Sequence, residues 1–389
     1  MHDVRNAIAP LAAGYRGSSI LNLAASIERA CGGQNPFDDA HALDVEHLSG
    51  RRHIVLLLLD GLGDALLSRF GSADGVLRRH QIGTLTSVFP TTTSAAISTL
   101  MTAHPPAQHG IMAWHMHLPR GIYTTLLAQY REDQQAPRPS DRALYHAEPV
   151  FGRLGRATYQ IQPRYLLDSP FSLRHRGRAA ALPASNFNEL LGQITHVTSH
   201  ARDTFSYAYW PELDAIGHKS GVASQAWRQA LAQVERGIDR LLTRLAGRSV
   251  SLLITADHGM VDAEGGRCES IEAAPDLLAC LEAPLAGEPR AAFCRVAEAQ
   301  LATFDRLCAE RYAEWFVAVP TREAFERGLF GPDPVADLQS RAGNRILLMQ
   351  GKRTLVQPLQ NEPLPAMVGV HGGLHADETT VPLVCIDTD

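Results

Sequence analysis

Apolar positions fall along the chain in two spacings, and each predicts a different element. From His53 the sequence reads HIVLLLLDGLGDALL, a continuous apolar run that stops at an acid and a Gly-rich turn before a helical stretch. Such a run fits a strand buried on both faces of a parallel sheet, with Asp60 at its C-terminal end. The pattern returns at Ser249 to Thr255, SVSLLIT followed by ADHG, and more weakly at Phe205 to Trp210, FSYAYW followed by PELD. Between these two, Trp227, Leu231, Val234, Ile238, Leu241 and Leu245 recur at steps of three or four, which predicts an amphipathic crossover helix. Three strands thus end in acid-bearing loops. In open α/β sheets the ligand crevice lies beyond the carboxyl ends of the strands, where acids distant in sequence can converge.

The remaining chain is less regular. From about Ile111 to His200 it is richer in Pro, Arg and His and only weakly periodic, which reads as insertions and cap elements over the sheet, with loops that carry specificity. From Glu264 to Pro365 come a strand-like AAFCRV, a helical stretch Glu298 to Tyr312, a strand-like WFVAVP and a short RILLM, expected to form a small α/β cap subdomain. The expected division is a core of 1–263 and 366–389, with cap insertions in 111–200, and a cap subdomain of 264–365. No solenoid repeat, low-complexity run or Gly/Ser linker interrupts it. The Pro-rich stretch Gln135 to Ser140 is the expected mobile loop.

Composition narrows the class. With 389 residues, 45% hydrophobic and 20% charged, the chain has the balance of a soluble globular protein, which excludes a disordered, collagenous or coiled-coil architecture. Lys and Arg number 36 against 41 Asp and Glu, a net charge of -5. The basic excess that holds a nucleic-acid polymer is missing, whereas a small phosphate-bearing substrate stays open. Apolar runs such as Ile54 to Leu59 are far short of the about 20 residues that span a bilayer, so no membrane partner is expected. The segment Met1 to Pro10 shows no basic stretch followed by an apolar one, so no secretory signal is read there. Six cysteines without CxxC spacing read as reduced, buried thiols, and a cytoplasmic location follows as an expectation.

The chemistry is concentrated in five pieces: Asp60 in LLDGLG, Thr93 in FPTTTSAA, Asp214 and His218 in ELDAIGH, Asp257 and His258 in TADHG, and His371 in GVHGG. Singly, an acid after a strand is commonly a cap or solvated, and a lone histidine is commonly a satisfied polar residue. Together they offer ligands for two metal ions. Carboxylates and imidazoles suit zinc and other first-row divalent ions, and two such ions about 4 Å apart can hold the attacking and leaving oxygens of an in-line displacement at phosphorus. Acids gathered at one end of a sheet repel one another when bare, and bound cations are the simplest reason to collect them.

These five pieces, in this order, resemble the alkaline phosphatase superfamily and, within it, the type I phosphodiesterase/nucleotide pyrophosphatase branch. The resemblance implies a doubly wound, mostly parallel sheet with helices on both faces. Aligning FPTTTSAAISTLMTAHPPAQHGI with the family pattern places the nucleophile at Thr93. It also implies one metal held by Asp214, His218 and His371, and another by Asp60, Asp257, His258 and the Thr93 oxygen. Zinc is the first expectation, with manganese and iron as alternatives, because mixed Asp and His ligands accept several divalent ions. A threonine hydroxyl is a poor nucleophile at neutral pH, and coordination would lower its pKa. Thr93 also opens the predicted helix SAAISTLM, whose first N–H groups favour an incoming phosphate, although a threonine there can be a plain N-cap. The implied reaction has Thr93 attacking phosphorus and the Asp214, His218 and His371 metal stabilising the departing alkoxide. Water activated by that metal then hydrolyses the phosphothreonine, with net retention over two in-line steps.

One position departs from the family pattern. Three residues after the nucleophile the family carries an asparagine that binds a non-bridging oxygen, and this chain has Ala96. Oxyanion binding must then come from the Thr93 N–H, Ser94 or a cap histidine. In the dense histidine group His104, His109, His115 and His117, the second matches a structural position in HGI, while His115 and His117 are candidates for substrate contact. Tyr209 is a candidate to flank the leaving group, as is Trp210, with core packing as the alternative. Asp64 reads as a capping or solvated acid, and His375 falls outside the metal set. The expected function is hydrolysis of a small phosphodiester or nucleotide pyrophosphate. A phosphonoacetate-type C–P hydrolase and a phosphomonoesterase are the alternatives, together with a noncatalytic phosphate sensor. Absence of CxPxR argues against a sulfatase, and Thr93 against a serine-dependent phosphomutase.

Overall fold

The computed structural model describes residues 4–359 and 362–389. Its centre is a seven-stranded sheet made, in chain order, of β1 (His53–Leu59), β2 (Gln81–Thr86), β3 (Ala157–Pro163), β4 (Ala180–Ala184), β5 (Thr204–Trp210), β6 (Val250–Thr255) and β7 (Thr380–Thr388). The spatial order is β2-β7-β6-β1-β5-β3-β4. Five strands run parallel from β6 to β4, and β7 is antiparallel to both its neighbours, so the sheet is mostly parallel as expected.

The runs that read as doubly buried strands are the middle of this sheet. Every residue of β1 and of β6 is buried. Leu59 lies opposite Trp210 and Leu58 opposite Thr255, so the three acid-bearing loops leave the sheet at one end. Four helices matter for the site: α1 (Thr93–Thr102), α2 (Pro170–Arg176), α3 (Glu212–Ser220) and α4 (Gln225–Leu245). The last is the expected crossover, and it buries Trp227, Leu231, Val234, Ile238, Leu241 and Leu245.

A second seven-stranded sheet is antiparallel throughout. Its order is Phe316–Pro320, Arg345–Met349, Ala291–Cys294, Ala286–Glu288, His115–Leu118, Gly121–Thr124 and Gln129–Tyr130. Gly287 pairs with His115 and so joins the two insertions into one sheet. Its φ is +83°, and a Cβ there would meet the Ala291 carbonyl oxygen at 2.2 Å, so only glycine fits the crossing.

Sheet membership therefore corrects the reading of 111–200 as cap elements over the core. Only its first part joins the cap sheet, whereas β3 and β4 extend the central one. β4 is an edge strand with mostly half-exposed residues, and β3 carries buried glutamines in place of a continuous apolar run, so neither gave the doubly buried signature. Gln135 to Ser140 forms no regular element. The six cysteines are unpaired thiols, five of them buried. Among the described residues no helix is long and apolar enough to cross a membrane.

Candidate active site

The seven residues singled out from the sequence meet at the carboxyl end of the central sheet. Asp60 follows β1, and its N–H donates to the Trp210 carbonyl at 3.0 Å. Asp214 and His218 stand one turn apart on α3, with Oδ1 and Nε2 separated by 3.3 Å. Asp257 and His258 follow β6. His371 follows the strand Gly369–Val370, whose pairing with Val261–Asp262 ties this late segment to the loop after β6. His371 Nε2 lies 3.2 Å from His218 Nε2 and 3.6 Å from Asp214 Oδ1. His258 Nε2 lies 3.5 Å from Asp60 Oδ1 and 3.4 Å from Asp257 Oδ2. The rings of His258 and His371 stack with centroids 3.7 Å apart, so the triads Asp214, His218, His371 and Asp60, Asp257, His258 share a wall.

Hydrogen bonding shows which atoms are left for a ligand. Nδ1 of His218 lies 2.8 Å from the Gly369 carbonyl, Nδ1 of His258 3.0 Å from that of Gly259, and Nδ1 of His371 2.9 Å from that of Thr91. A carbonyl only accepts, so each Nδ1 carries the proton and each Nε2 presents a lone pair. Asp257 Oδ1 accepts the N–H groups of Gly61 and His258, which turns Oδ2 inward. Buried Asp60 Oδ1, Asp214 Oδ1 and Asp257 Oδ2 have no hydrogen-bond partner. Burial, followed by the charges of Asp257 and Asp214, pushes the Asp60 carboxyl well above its usual range. Burial likewise raises Asp214 and pushes His371 well below the usual imidazole range, the latter reinforced by His258 and His218. Lone pairs from three imidazoles and three carboxylates thus converge, a donor set that fits divalent cations.

Thr93 is the first residue of α1, and its Oγ1 lies 3.2 Å from His258 Nε2. The N-cap, Thr92, gives the helix no side-chain cap, so the first-turn N–H groups stay available to an anion. Ala96 is fully buried and adds no polar atom. Thr91, two residues before Thr93, latches two loops together. Its hydroxyl donates to the Gly373 carbonyl and accepts the Gly372 N–H, both at 3.0 Å, while its carbonyl holds His371. The three consecutive threonines hide this division of labour, because only the fold separates them.

Above the donors is a cavity of about 480 Å³ whose floor includes Asp60, Thr93, Asp214, His218 and His371. The cap supplies a largely apolar wall of Trp114, Leu126, Leu285 and Leu355, to which Met367 adds. Tyr209 lines the cavity, and its hydroxyl donates to Asp60 Oδ2, so it also fixes that carboxylate. His115 lines it as well, with Nδ1 3.0 Å from Thr124 Oγ1, and burial pushes its pKa to about 3. His117 does not reach the lining. It is buried, with Nε2 3.3 Å from the carbonyl of Phe293, on the strand two places along the cap sheet. Ser94 is fully buried within α1 and is also absent from the lining.

Other polar residues have local roles. His109 bridges Thr99 Oγ1 and the Ile111 N–H, in keeping with a structural part, and His104 is held by the Thr102 carbonyl. Trp210 donates to Glu212, Asp64 accepts from Gln81, and His375 caps the short helix Ala376–Thr379. Glu288, unremarked in the sequence, lines the cavity, accepts the Trp114 N–H at 2.6 Å, and is pushed up to about 7 by burial.

The family model described as type I phosphodiesterase / nucleotide pyrophosphatase matches residues 54–278, which include six of the seven site residues and leave His371 beyond the match. No curated protein sequence matches the chain. Among solved structures, murine ectonucleotide pyrophosphatase / phosphodiesterase 5 superposes with a TM-score of 0.62 at 17% identity, over 85% of this chain and 87% of that one. Phosphonoacetate hydrolase from Sinorhizobium meliloti 1021, solved with phosphonoacetate, gives a TM-score of 0.62 at 18% identity, over 86% of this chain and 90% of that one. The fold is thus that of the alkaline phosphatase superfamily. With more than half of its length matched by the family model, the chain belongs to the type I phosphodiesterase/nucleotide pyrophosphatase family, a family of hydrolases.

Proposed function

We propose that this protein hydrolyses phosphodiester or nucleotide pyrophosphate bonds with two divalent cations, zinc foremost, and that Thr93 is the nucleophile. The observation that carries the proposal is the position of Thr93 Oγ1, at the uncapped start of α1 and 3.2 Å from His258 Nε2, beside two triads of unpaired donor atoms. Asp214, His218 and His371 would hold one cation, and Asp60, Asp257 and His258, with the Thr93 oxygen, the other. Bound there, the cations supply positive charge to the phosphoryl oxygens and lower the pKa of a coordinated hydroxyl.

The chain's own groups do the rest. Thr93 Oγ gives up its proton and forms a bond to phosphorus in line with the leaving oxygen, which departs with its bonding electron pair and takes up a proton. Water then attacks the phosphothreonine, the P–Oγ bond breaks and Thr93 is regenerated, with net retention at phosphorus. The first-turn N–H groups of α1 bind non-bridging oxygens in place of a side chain at Ala96. Tyr209 holds Asp60, and Thr91 holds His371. Arg131, the one guanidinium or ammonium lining the cavity among the described residues, is committed to Glu362 and to the Gln357 carbonyl. That favours an uncharged ester substituent over the carboxylate of a phosphonoacetate-type substrate.

The test is the ratio of kcat/KM for bis-p-nitrophenyl phosphate to that for p-nitrophenyl phosphate in zinc-loaded protein. A ratio above one that vanishes in Thr93→Ala is expected. Preference for the monoester would overturn the diester reading, and turnover of phosphonoacetate alone would replace it with C–P hydrolysis.

A further inference from the structure

A second, smaller chamber meets the main cavity at Thr93, Leu126 and Tyr209. Its volume is about 80 Å³, room for about two or three water molecules or one small polar group. Gln160 and Gln162 of β3 and Tyr207 and Tyr209 of β5 line it from one face of the sheet, since side chains two apart on a strand point the same way and Gln160 pairs with Tyr207. His175 of α2 closes it from the other side.

Four of these side chains are at least nine-tenths buried and end without a partner: Gln160 Oε1, Gln162 Nε2, His175 Nε2 and the Tyr207 hydroxyl. His175 Nδ1 lies 2.8 Å from the Phe171 carbonyl, so Nδ1 is the donor and Nε2 the acceptor. Leaving this many buried polar ends unpaired is costly, and such groups normally face a ligand or ordered water. The chamber offers both donors and acceptors and is lined by no Lys, Arg, Asp or Glu. Burial keeps His175 neutral at pH 7, with a pKa of about 4, and holds Tyr207 well above the usual phenol range. An anionic group would face acceptors with no cation to balance it. A hydroxyl, which both donates and accepts, matches the set.

The chamber touches the nucleophile and is lined by none of Asp214, His218 and His371, whereas the main cavity includes all three. Resting on the function proposed above, we infer that this chamber is a recognition subsite for a small, neutral, hydroxyl-bearing substituent, of the glycerol kind, that stays on phosphorus when Thr93 attacks. The leaving group occupies the main cavity.

Two p-nitrophenyl phosphate diesters test this, one with a 2,3-dihydroxypropyl and one with an n-propyl retained group, assayed with zinc-loaded protein. The dihydroxypropyl ester is expected to have the higher kcat/KM by at least about tenfold, the scale on which a site built for a hydroxyl rejects its deoxy analogue being larger still. The ratio is expected to fall to near one in Tyr207→Phe, which removes only the hydroxyl, and in Gln162→Leu, with thermal melting of both variants reporting that they fold. A ratio near one in the wild type, or an undiminished ratio in both variants, overturns the subsite and leaves the Thr93 chemistry standing. Turnover that persists in Thr93→Ala overturns the nucleophile instead, while the ratio still reads the subsite. Should neither ester turn over, calorimetry with glycerol 3-phosphate and propyl phosphate decides: tighter glycerol 3-phosphate binding that is lost in Tyr207→Phe supports the subsite, and equal affinities overturn it.

Discussion

Two buried charged clusters lie near one another in this molecule, and only one of them pairs its own polar atoms. Arg290 and Glu378 are both fully buried, and their atoms are paired. Arg290 binds Glu378 through Nε and Nη2 and the carbonyls of Gly351 and Arg353 through its other N–H groups, while Glu378 Oε1 also accepts the Gly373 N–H at 2.8 Å. In the other cluster Asp60, Asp214 and Asp257 each keep an unpartnered buried oxygen, and two imidazole lone pairs meet at 3.2 Å. The first cluster satisfies itself and fixes the Gly372–Gly373 turn behind His371. The second brings unsatisfied donors up against one another, a destabilising arrangement that the proposed cations would relieve.

The sharpest way to break this contrast is Arg290→Met, which leaves Glu378 buried without its partner. A loss of about 3–5 kcal/mol in unfolding free energy is expected, equal with and without zinc, as read by chemical denaturation. A loss seen only with zinc would make the pair part of the cation site.

Glu288 lies between the two clusters, packed against Gly372, whose φ of +110° and contact with Glu288 Cβ exclude a side chain. Its folded pKa of about 7 is above the ordinary 4.5, so its contribution is full below pH 4.5 and is lost as pH rises through 7. In chelator-treated protein this is worth at most about 3 kcal/mol between those limits. Glu288→Gln is expected to flatten that part of the stability profile, and an unchanged profile would contradict the assignment.

The smallest effect is the most diagnostic in sign. Asp60→Asn removes one of the confronting charges and is expected to stabilise the chelated protein by about 1 kcal/mol. In zinc the same variant is expected to melt below the wild type. Destabilisation under both conditions would mean that the acids are not in conflict.

How much of this was legible in the sequence depended on where each element sits. β1, β5 and β6 lie in the middle of the sheet, so burial on both faces writes them as apolar runs that end in the acids of the site. β3 escaped that signature because Gln160 and Gln162 face the small chamber, and β4 because it is an edge. The joining of the two insertions through Gly287 and His115 leaves no local trace, since each strand is too short to reveal its partner. What packs over a side chain was equally hidden. His115 and His117 share a composition and a strand, yet one borders the cavity and the other is covered by the sheet around Phe293.

The most direct test of the two-cation site is the number of zinc equivalents retained per chain after dialysis, measured by elemental analysis on the wild type and on His218→Ala. Two in the wild type and one in the variant are expected, since Asp60, Asp257 and His258 form a separate triad. One or none in the wild type, or two retained by His218→Ala, would contradict it.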